Sequence, residues 1–487
     1  MERFLVPKCI QFCLLFFAFS GQSFASPWIG TTDPQLHYDV QILNEFGYLN
    51  SVTTTFPMPW KGISEQLSQL DTTTMHPAAA TAAKRLKHYL TLQKHKDTFS
   101  SVTAYGATDR TRYASFDGQQ GEKGRLNINT ETRVGRLAGK LSVNFEPNGE
   151  QNLDQSYLAY QLGDWNLRLG SIDQWWGPSH GNSLILSNNA RPIPTLALSR
   201  SRTNQSDSKW LSFLGPWYVT AQVGQLEESR DVPDAKIWAS RFTARPIAGL
   251  EVGLSWLAVW GGDGQPDRMN DFFRVISFQK RCANGADECD PSMETHIGSH
   301  LAGIDGKYTF RLMDHPVSIY GQYVDEGESS EFNVSNQARS FGISSYLWDA
   351  KVYLENSDTN VSCDDAIVDV THCYYESGTY SSGYRYYTRE LGEDRQTDAR
   401  MTSLGILKHF ADGDVFEAAI RYIKIDDGSE DQELLGLTEE ITQLSGYYQT
   451  VWGHWQVKLG AVIDASKVNQ QGTENDFTVF SEIKYSL

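Results

Sequence analysis

The chain has 487 residues, 40% of them hydrophobic and 12% aromatic, with a formal net charge of −18. A surplus of acid over base excludes nucleic acid as a partner, because binding a phosphate backbone needs a basic footprint. High aromatic content with a mean hydropathy of −0.43 also argues against a large soluble aliphatic core; a membrane barrel instead spends its apolar residues on an outer band around a polar interior.

The first 25 residues carry Arg3 and Lys8, an apolar run from Cys9 to Phe19, and Ser23-Phe24-Ala25. That pattern reads as a secretory signal peptide cleaved after Ala25, since the apolar run falls well short of the roughly 20 residues a spanning helix needs. Loss of Glu2, Arg3 and Lys8 leaves 40 basic and 59 acidic residues, a net charge of −19.

Residues 26–97 read as a small helical bundle on the periplasmic side. Asp33 can cap a helix that starts at Pro34 and stops at Gly47. A second helix is expected over 62–70, with Ile63, Leu67 and Leu70 on one face. The third begins near Pro77 and places Ala79, Ala83, Leu86 and Leu90 at helical spacing.

From Thr98 the period changes to two. Leu250, Val252, Leu254, Trp256, Ala258 and Trp260 share one strand face, with Glu251, Gly253 and Ser255 on the other. The last strand alternates in the same way: Phe477, Val479, Ile483, Tyr485 and Leu487 point one way and Asp476, Thr478, Glu482, Lys484 and Ser486 the other. Its Tyr-x-Leu ending looks like the signal read by the barrel-assembly machinery. Three stretches, Gly163-Asp164-Trp165, Gly215-Pro216-Trp217 and Gly453-His454-Trp455, place a tight turn before a tryptophan that opens an alternating run. Short turns belong to the periplasmic end of a barrel, which makes the longer segments 227–236, 261–300, 325–339, 356–400 and 426–440 extracellular. At roughly 20–22 residues per strand and connection, 98–487 gives about 18 strands. The fold class is all-β: a transmembrane antiparallel β-barrel with a small N-terminal periplasmic helical bundle, located in the cell outer membrane.

Four cysteines remain after the leader, as the pairs Cys282 with Cys289 and Cys363 with Cys373, each within a loop-like stretch. In an exported protein these read as local disulfides; zinc would call for C-x-x-C spacing, which neither pair has. Asp426, Asp427, Glu430, Asp431 and Glu433 lack the order of a calcium loop and read as a solvated segment. No metal or cofactor is expected.

Between 171 and 202 the alternation stops. Paired tryptophans, three prolines and Arg191 do not suit a lipid-facing strand, so this segment belongs inside the barrel or at its mouth. Trp175 and Trp176 can pack on the apolar faces of pyranose rings, while Asp173, Asn188, Asn189 and Arg191 supply hydrogen-bonding groups for hydroxyls or a uronate carboxylate. On the residues alone an equally good reading has the indoles filling the lumen and Arg191 paired with a wall carboxylate.

The stretch Gly170-Ser171-Ile172-Asp173-Gln174-Trp175-Trp176-Gly177-Pro178, with Ser187-Asn188-Asn189-Ala190-Arg191-Pro192 downstream, closely resembles the signature of the capsule assembly protein Wzi family. Phe56-Pro57-Met58-Pro59-Trp60 is similar to that family's segment before its helices. The resemblance covers the whole mature chain. It implies an 18-stranded outer-membrane barrel acting as a lectin that holds capsular or exopolysaccharide on the cell surface. The partners expected are that polysaccharide, outer-membrane lipid and lipopolysaccharide, and the assembly machinery during biogenesis, with the barrel a monomer. A diffusion porin is the alternative. No G-x-S-x-G elbow, H-E-x-x-H or other catalytic motif supports an enzyme.

Overall fold

The computed structural model describes residues 26–111, 115–116, 123–206, 208–277, 279–282, 294–296, 298–326, 337–361, 374–375, 377, 379–393, 398–425, 438–468 and 472–487. The leader, the carboxylate run at 426–433 and the side chains of Cys282, Cys289, Cys363 and Cys373 lie outside the described residues.

Among the described residues the strands close into one antiparallel barrel in chain order. They are β1 (Thr98–Ala107), β2 (Gly124–Val134), β3 (Leu137–Phe145), β4 (Gln151–Asn152, continued as Tyr157–Leu162), β5 (Trp165–Gly170), β6 (Thr195–Arg200), β7 (Trp217–Gln225), β8 (Lys236–Ile247) and β9 (Leu250–Trp260). The ring continues with β10 (Ser299–Leu312), β11 (His315–Glu326), β12 (Ala338–Leu347), β13 (Ala350–Asp358), β14 (Ala399–His409), β15 (Val415–Ile425), β16 (Glu439–Trp452), β17 (Trp455–Val468) and β18 (Gly472–Ser486). Strand β18 pairs with β1, from Phe480 opposite Ala107 to Ser486 opposite Ser101, and leaves no free edge. The eighteen strands meet the expectation from spacing.

The alternation is inside-out relative to a soluble sheet. On β9, Leu250, Val252, Leu254 and Trp256 look outward, while Glu251, Gly253 and Ser255 are buried. The interior therefore has to satisfy charge. Arg241 on β8 meets Asp305 on β10 through two hydrogen bonds of 2.6 and 2.9 Å, and its Nε donates to Thr55 at 2.7 Å. An unpaired charge at such a site would cost several kcal/mol, roughly 3–5 on removal of one partner.

Two-residue turns at 135–136, 163–164, 248–249, 313–314, 348–349 and 453–454 all fall at one end, termed the turn end, where the helical segment also enters β1. Gly135, Gly163 and Gly453 sit near φ +60, the left-handed region that a tight hairpin demands. One member of the Gly-x-Trp repeat departs from expectation. Gly215-Pro216 closes the long connection 201–216, after a short 3₁₀ turn over Ser212–Leu214, instead of forming a hairpin loop.

The N-terminal helices are α1 (Pro34–Glu45), α2 (Trp60–Gln69) and α3 (Pro77–His95). Asp33 accepts from Leu36 N at 3.2 Å, and Gly47 at φ +78 follows the end of α1. The bundle is not merely hung below the barrel. Glu45 at the end of α1 pairs with Lys307 on β10 and Lys351 on β13. Arg85 of α3 bridges Asp39 of α1 and the carbonyl of Phe410, just past β14. Thus α1 is wedged into the turn end of the lumen by ion pairs to the wall.

A second filling enters from the opposite, loop end. Residues 171–194 turn inward between β5 and β6, and Trp175-Trp176 pair with Thr55-Phe56 as a two-residue ribbon. Pro178, Pro192 and Pro194 all lie in this inward stretch, and the wall resumes at Thr195, before the segment's expected end at 202, with Leu196 and Leu198 facing out. From the loop after β13, Tyr374, Tyr375, Tyr384 and Leu391 come down to pack on Leu184, Ile185 and Trp176.

Candidate functional site

The inward segment holds all six residues expected to meet a sugar, and the structure divides them. Trp176 is 0% exposed, packed among Leu184–Leu186 and the tyrosines of 374–384. Trp175 is buried against Phe116, its ring centroid 5.2 Å away, and its Nε1 donates to Ser179 O at 3.1 Å. Both indoles are buried, as in the reading that has them fill the lumen. The cause is tertiary: an inward ribbon flanked by two other chain segments buries whatever large rings it carries. Asn188 is likewise buried, its Nδ2 donating to Phe116 O at 3.1 Å.

Asn188 and the other three nevertheless all border open space. A cavity of about 1140 Å³ follows the wall formed by β17, β18 and β1–β4, and Asp173, Asn188, Asn189 and Arg191 line it near the loop end. Arg191 donates through Nε and Nη2 to Asp154, at 2.8 and 3.2 Å; Asp154 lies in the interruption of β4. That bidentate pair realises the alternative expectation of a wall carboxylate, yet Arg191 stays one-third exposed. Asn189 Nδ2 donates to Glu390 O at 2.9 Å. Asp173 Oδ1 has no hydrogen-bond partner among the described residues, nor does Arg125 Nε across the cavity wall. Burial, with Asp154 close by, pushes the Asp173 carboxyl up to about 7.

A hairpin completes the rim. Arg385-Tyr386 pairs with Arg389-Glu390, leaving Tyr387 and Thr388 as its two-residue loop, at φ +47 and φ +68. Glycine or asparagine is the usual occupant of such positions, and a tyrosine followed by a β-branched residue is strained there. Strain of this kind, of order 1–3 kcal/mol per residue, persists where the surroundings hold it and clusters at functional sites. Tyr387 is 47% exposed, with the Arg191 guanidinium 4.9 Å from its ring and Arg389 donating to Asn189 O at 3.2 Å. The rim thus offers a half-exposed aromatic ring, two guanidiniums and a carboxylate within one hydrogen-bonded cluster.

Below the rim the wall carries an amide ladder. Asn129 donates to Asn127, Asn127 to Asn144, and Asn144 to Asn152, each at 2.9–3.0 Å, and Asn152 donates to Glu146. Sequence reasoning missed this ladder and the Tyr387 hairpin. The alternation Arg125-Leu126-Asn127-Ile128-Asn129 was a usable signal, because it puts amides on the lumen face of β2. Nothing in Gly383-Tyr384-Arg385-Tyr386-Tyr387-Thr388 separates the exposed ring from its buried neighbours.

Comparison with known proteins follows the same lines. A family model described as capsule assembly protein Wzi matches residues 94–479. An uncharacterised 55.8 kDa protein in the cps region of Klebsiella pneumoniae is 28% identical over 324 residues, which are 65% of this chain and 61% of that protein, so the match spans less than two thirds of the relative. Among solved structures, Wzi of Escherichia coli superposes with a TM-score of 0.77 at 23% identity, covering 94% of this chain and 99% of that one. That protein is described as an outer-membrane, carbohydrate-binding β-barrel involved in group 1 capsule assembly.

Proposed function

The chain belongs to the capsule assembly protein Wzi family, and on that premise we propose that it is an outer-membrane lectin that binds capsular or exopolysaccharide and attaches it to the cell surface. The observation that carries the reading is Tyr387: a half-exposed ring held at positive φ on the cavity rim, beside the Arg191 guanidinium and lining the same cavity as Asp173 and Asn189. A pyranose stacks its C–H face on such a ring, and the rim guanidiniums and carboxylate take its hydroxyls or a uronate. In this reading Trp175, Trp176 and Asn188 position the rim from beneath. The turn end is periplasmic, the loop end faces outward, the barrel acts as a monomer, and no catalytic step is involved. Tyr485 in β18 and Leu487 just after it serve recognition by the assembly machinery, and lipid with lipopolysaccharide surrounds the wall.

The experiment is deletion of the gene followed by assay of polysaccharide in cells and medium. The proposal expects polymer still made but shed. Loss of synthesis or export would replace surface attachment with an assembly role.

One observation favours a second reading, a diffusion path. The cavity is lined by Lys96, His454 and Leu487 at the turn end and by Asn148 and Glu150 at the loop end, so it touches both rims. With α1 and the inward segments in place, planar bilayers should show no stable large conductance. Regular ion-conducting steps would favour the porin reading.

A further inference from the structure

The connection between β9 and β10 contains a helix, α4 (Met269–Ile276), that packs on the outer wall of the barrel. Arg241 and Glu251 point inward, so by strand alternation Trp238, Trp256, Ala258 and Trp260 point out. Phe272 of α4 lies 5.4 Å from both Trp238 and Trp260, and Val275 is buried with Ala258 and Trp260. The helix therefore covers the outward face of β8 and β9 at their loop ends, directly above the exposed Leu254 and beside Trp256.

With Phe272 and Val275 against the wall, a pitch of about 100° per residue turns Met269 and Phe273 onto one flank and Asn270 and Arg274 away from the barrel. Met269 is 71% exposed and Phe273 55%. Together with the outward face of the wall beneath them, these two side chains extend an exposed apolar patch of the kind that marks an interaction surface. We infer that the partner is the outer leaflet of the membrane: α4 is an interfacial helix whose Met269 and Phe273 enter the acyl boundary beside the Trp238–Trp256 pair. The apolar flank is continuous with the lipid-facing band of β8, β9 and β10, where Leu254 and Ile304 are exposed. Tryptophans at such a level mark the membrane interface, and amphipathic helices bury an apolar flank there to a depth of about 5–10 Å. Exposed Arg268 and Arg274 lie at the two ends of the helix, within reach of lipid phosphates. The inference is independent of glycan binding, because α4 lies outside the barrel.

The test is photocrosslinking of the purified full chain in nanodiscs of phosphatidylcholine and phosphatidylglycerol. A benzophenone amino acid replaces Met269, Phe273 or Asn270 in turn, with assembly checked by heat-modifiable gel mobility. Lipid adducts at 269 and 273 should exceed those at 270 at least fivefold. Equal yields at the three positions, no lipid adducts, or adducts between two copies of the chain would overturn the inference. Should a benzophenone variant fail to assemble, a fluorinated phenylalanine at position 273, read by ¹⁹F relaxation from a headgroup-spin-labelled lipid, makes the same decision: strong enhancement supports insertion and none contradicts it.

Discussion

The two sides of the lumen solve the same problem in opposite ways. Along β8–β14 the interior is packed: Trp176, Tyr374, Tyr375 and Leu184–Leu186 fill it, and two wall carboxylates there are fully engaged. Glu355, for instance, accepts from His180 N, Gly181 N and Tyr320 OH, each at 2.7 Å, and Glu251 accepts from Thr53 N and Thr54 N at 2.7 and 2.8 Å. Along β17, β18 and β1–β4 the interior is open, lined by amides and charges, with Asp173 Oδ1 and Arg125 Nε left for something else to satisfy. Buried side-chain atoms without a hydrogen-bond partner occur on both sides among the described residues, Trp176 Nε1 and both amide atoms of Asn182 on the packed one, so what separates the sides is open volume. The open side keeps a cavity of about 1140 Å³ lined by polar side chains, and the packed side is filled.

Substitutions can break that contrast. The largest effect should come from Trp176→Ala, which leaves a void that the ribbon and the tyrosines cannot collapse into, at a cost of about 3–5 kcal/mol in urea unfolding of the assembled barrel. A comparable truncation on the open side, Asn129→Ala, should cost under about 1 kcal/mol, because water can replace an amide that borders a cavity. Equal losses at the two positions would erase the distinction between the sides.

Next comes Tyr387→Gly. Relief of the positive φ should raise stability by about 1 kcal/mol, while loss of the ring weakens glycan binding roughly tenfold. A destabilised variant, or one that binds as before, would return Tyr387 to an ordinary loop position.

The remaining effect, read as a pH dependence, concerns Asp173. Its carboxyl holds a proton up to about pH 7 when folded but only to near 3.8 when unfolded, so the native state binds the extra proton between those values and stability falls as pH rises through that window. Asp173→Asn should flatten this slope, giving a higher thermal midpoint than the wild type at pH 8 and a smaller difference at pH 4. A wild-type midpoint already flat from pH 4 to 8 would mean that the carboxyl is solvated.

The wall was legible because a membrane strand obeys a local rule: alternation on β9 and β18, and Gly163 or Gly453 before tryptophan, depend on residues within a few positions of one another. The helices were legible for the same reason, through Asp33, Pro34 and Pro77. The lumen was not. Whether Trp176 fills space or meets sugar depends on Thr55 and on Tyr374, which lie more than 100 residues away on either side. The position of α1 depends on Glu45 finding Lys307 and Lys351. Arg191 illustrates the limit: the segment's chemistry marked it as notable, but only the fold shows that Asp154 holds it and that Tyr387 stacks beside it.

The most direct test is binding of a glycan array, followed by titration with the best oligosaccharide, using refolded wild-type protein and Tyr387→Ala side by side. The account predicts saturable wild-type binding and a roughly tenfold weaker variant, about 1.4 kcal/mol, at unchanged thermal midpoint. No binding by the wild type, or equal binding by the variant, would contradict it.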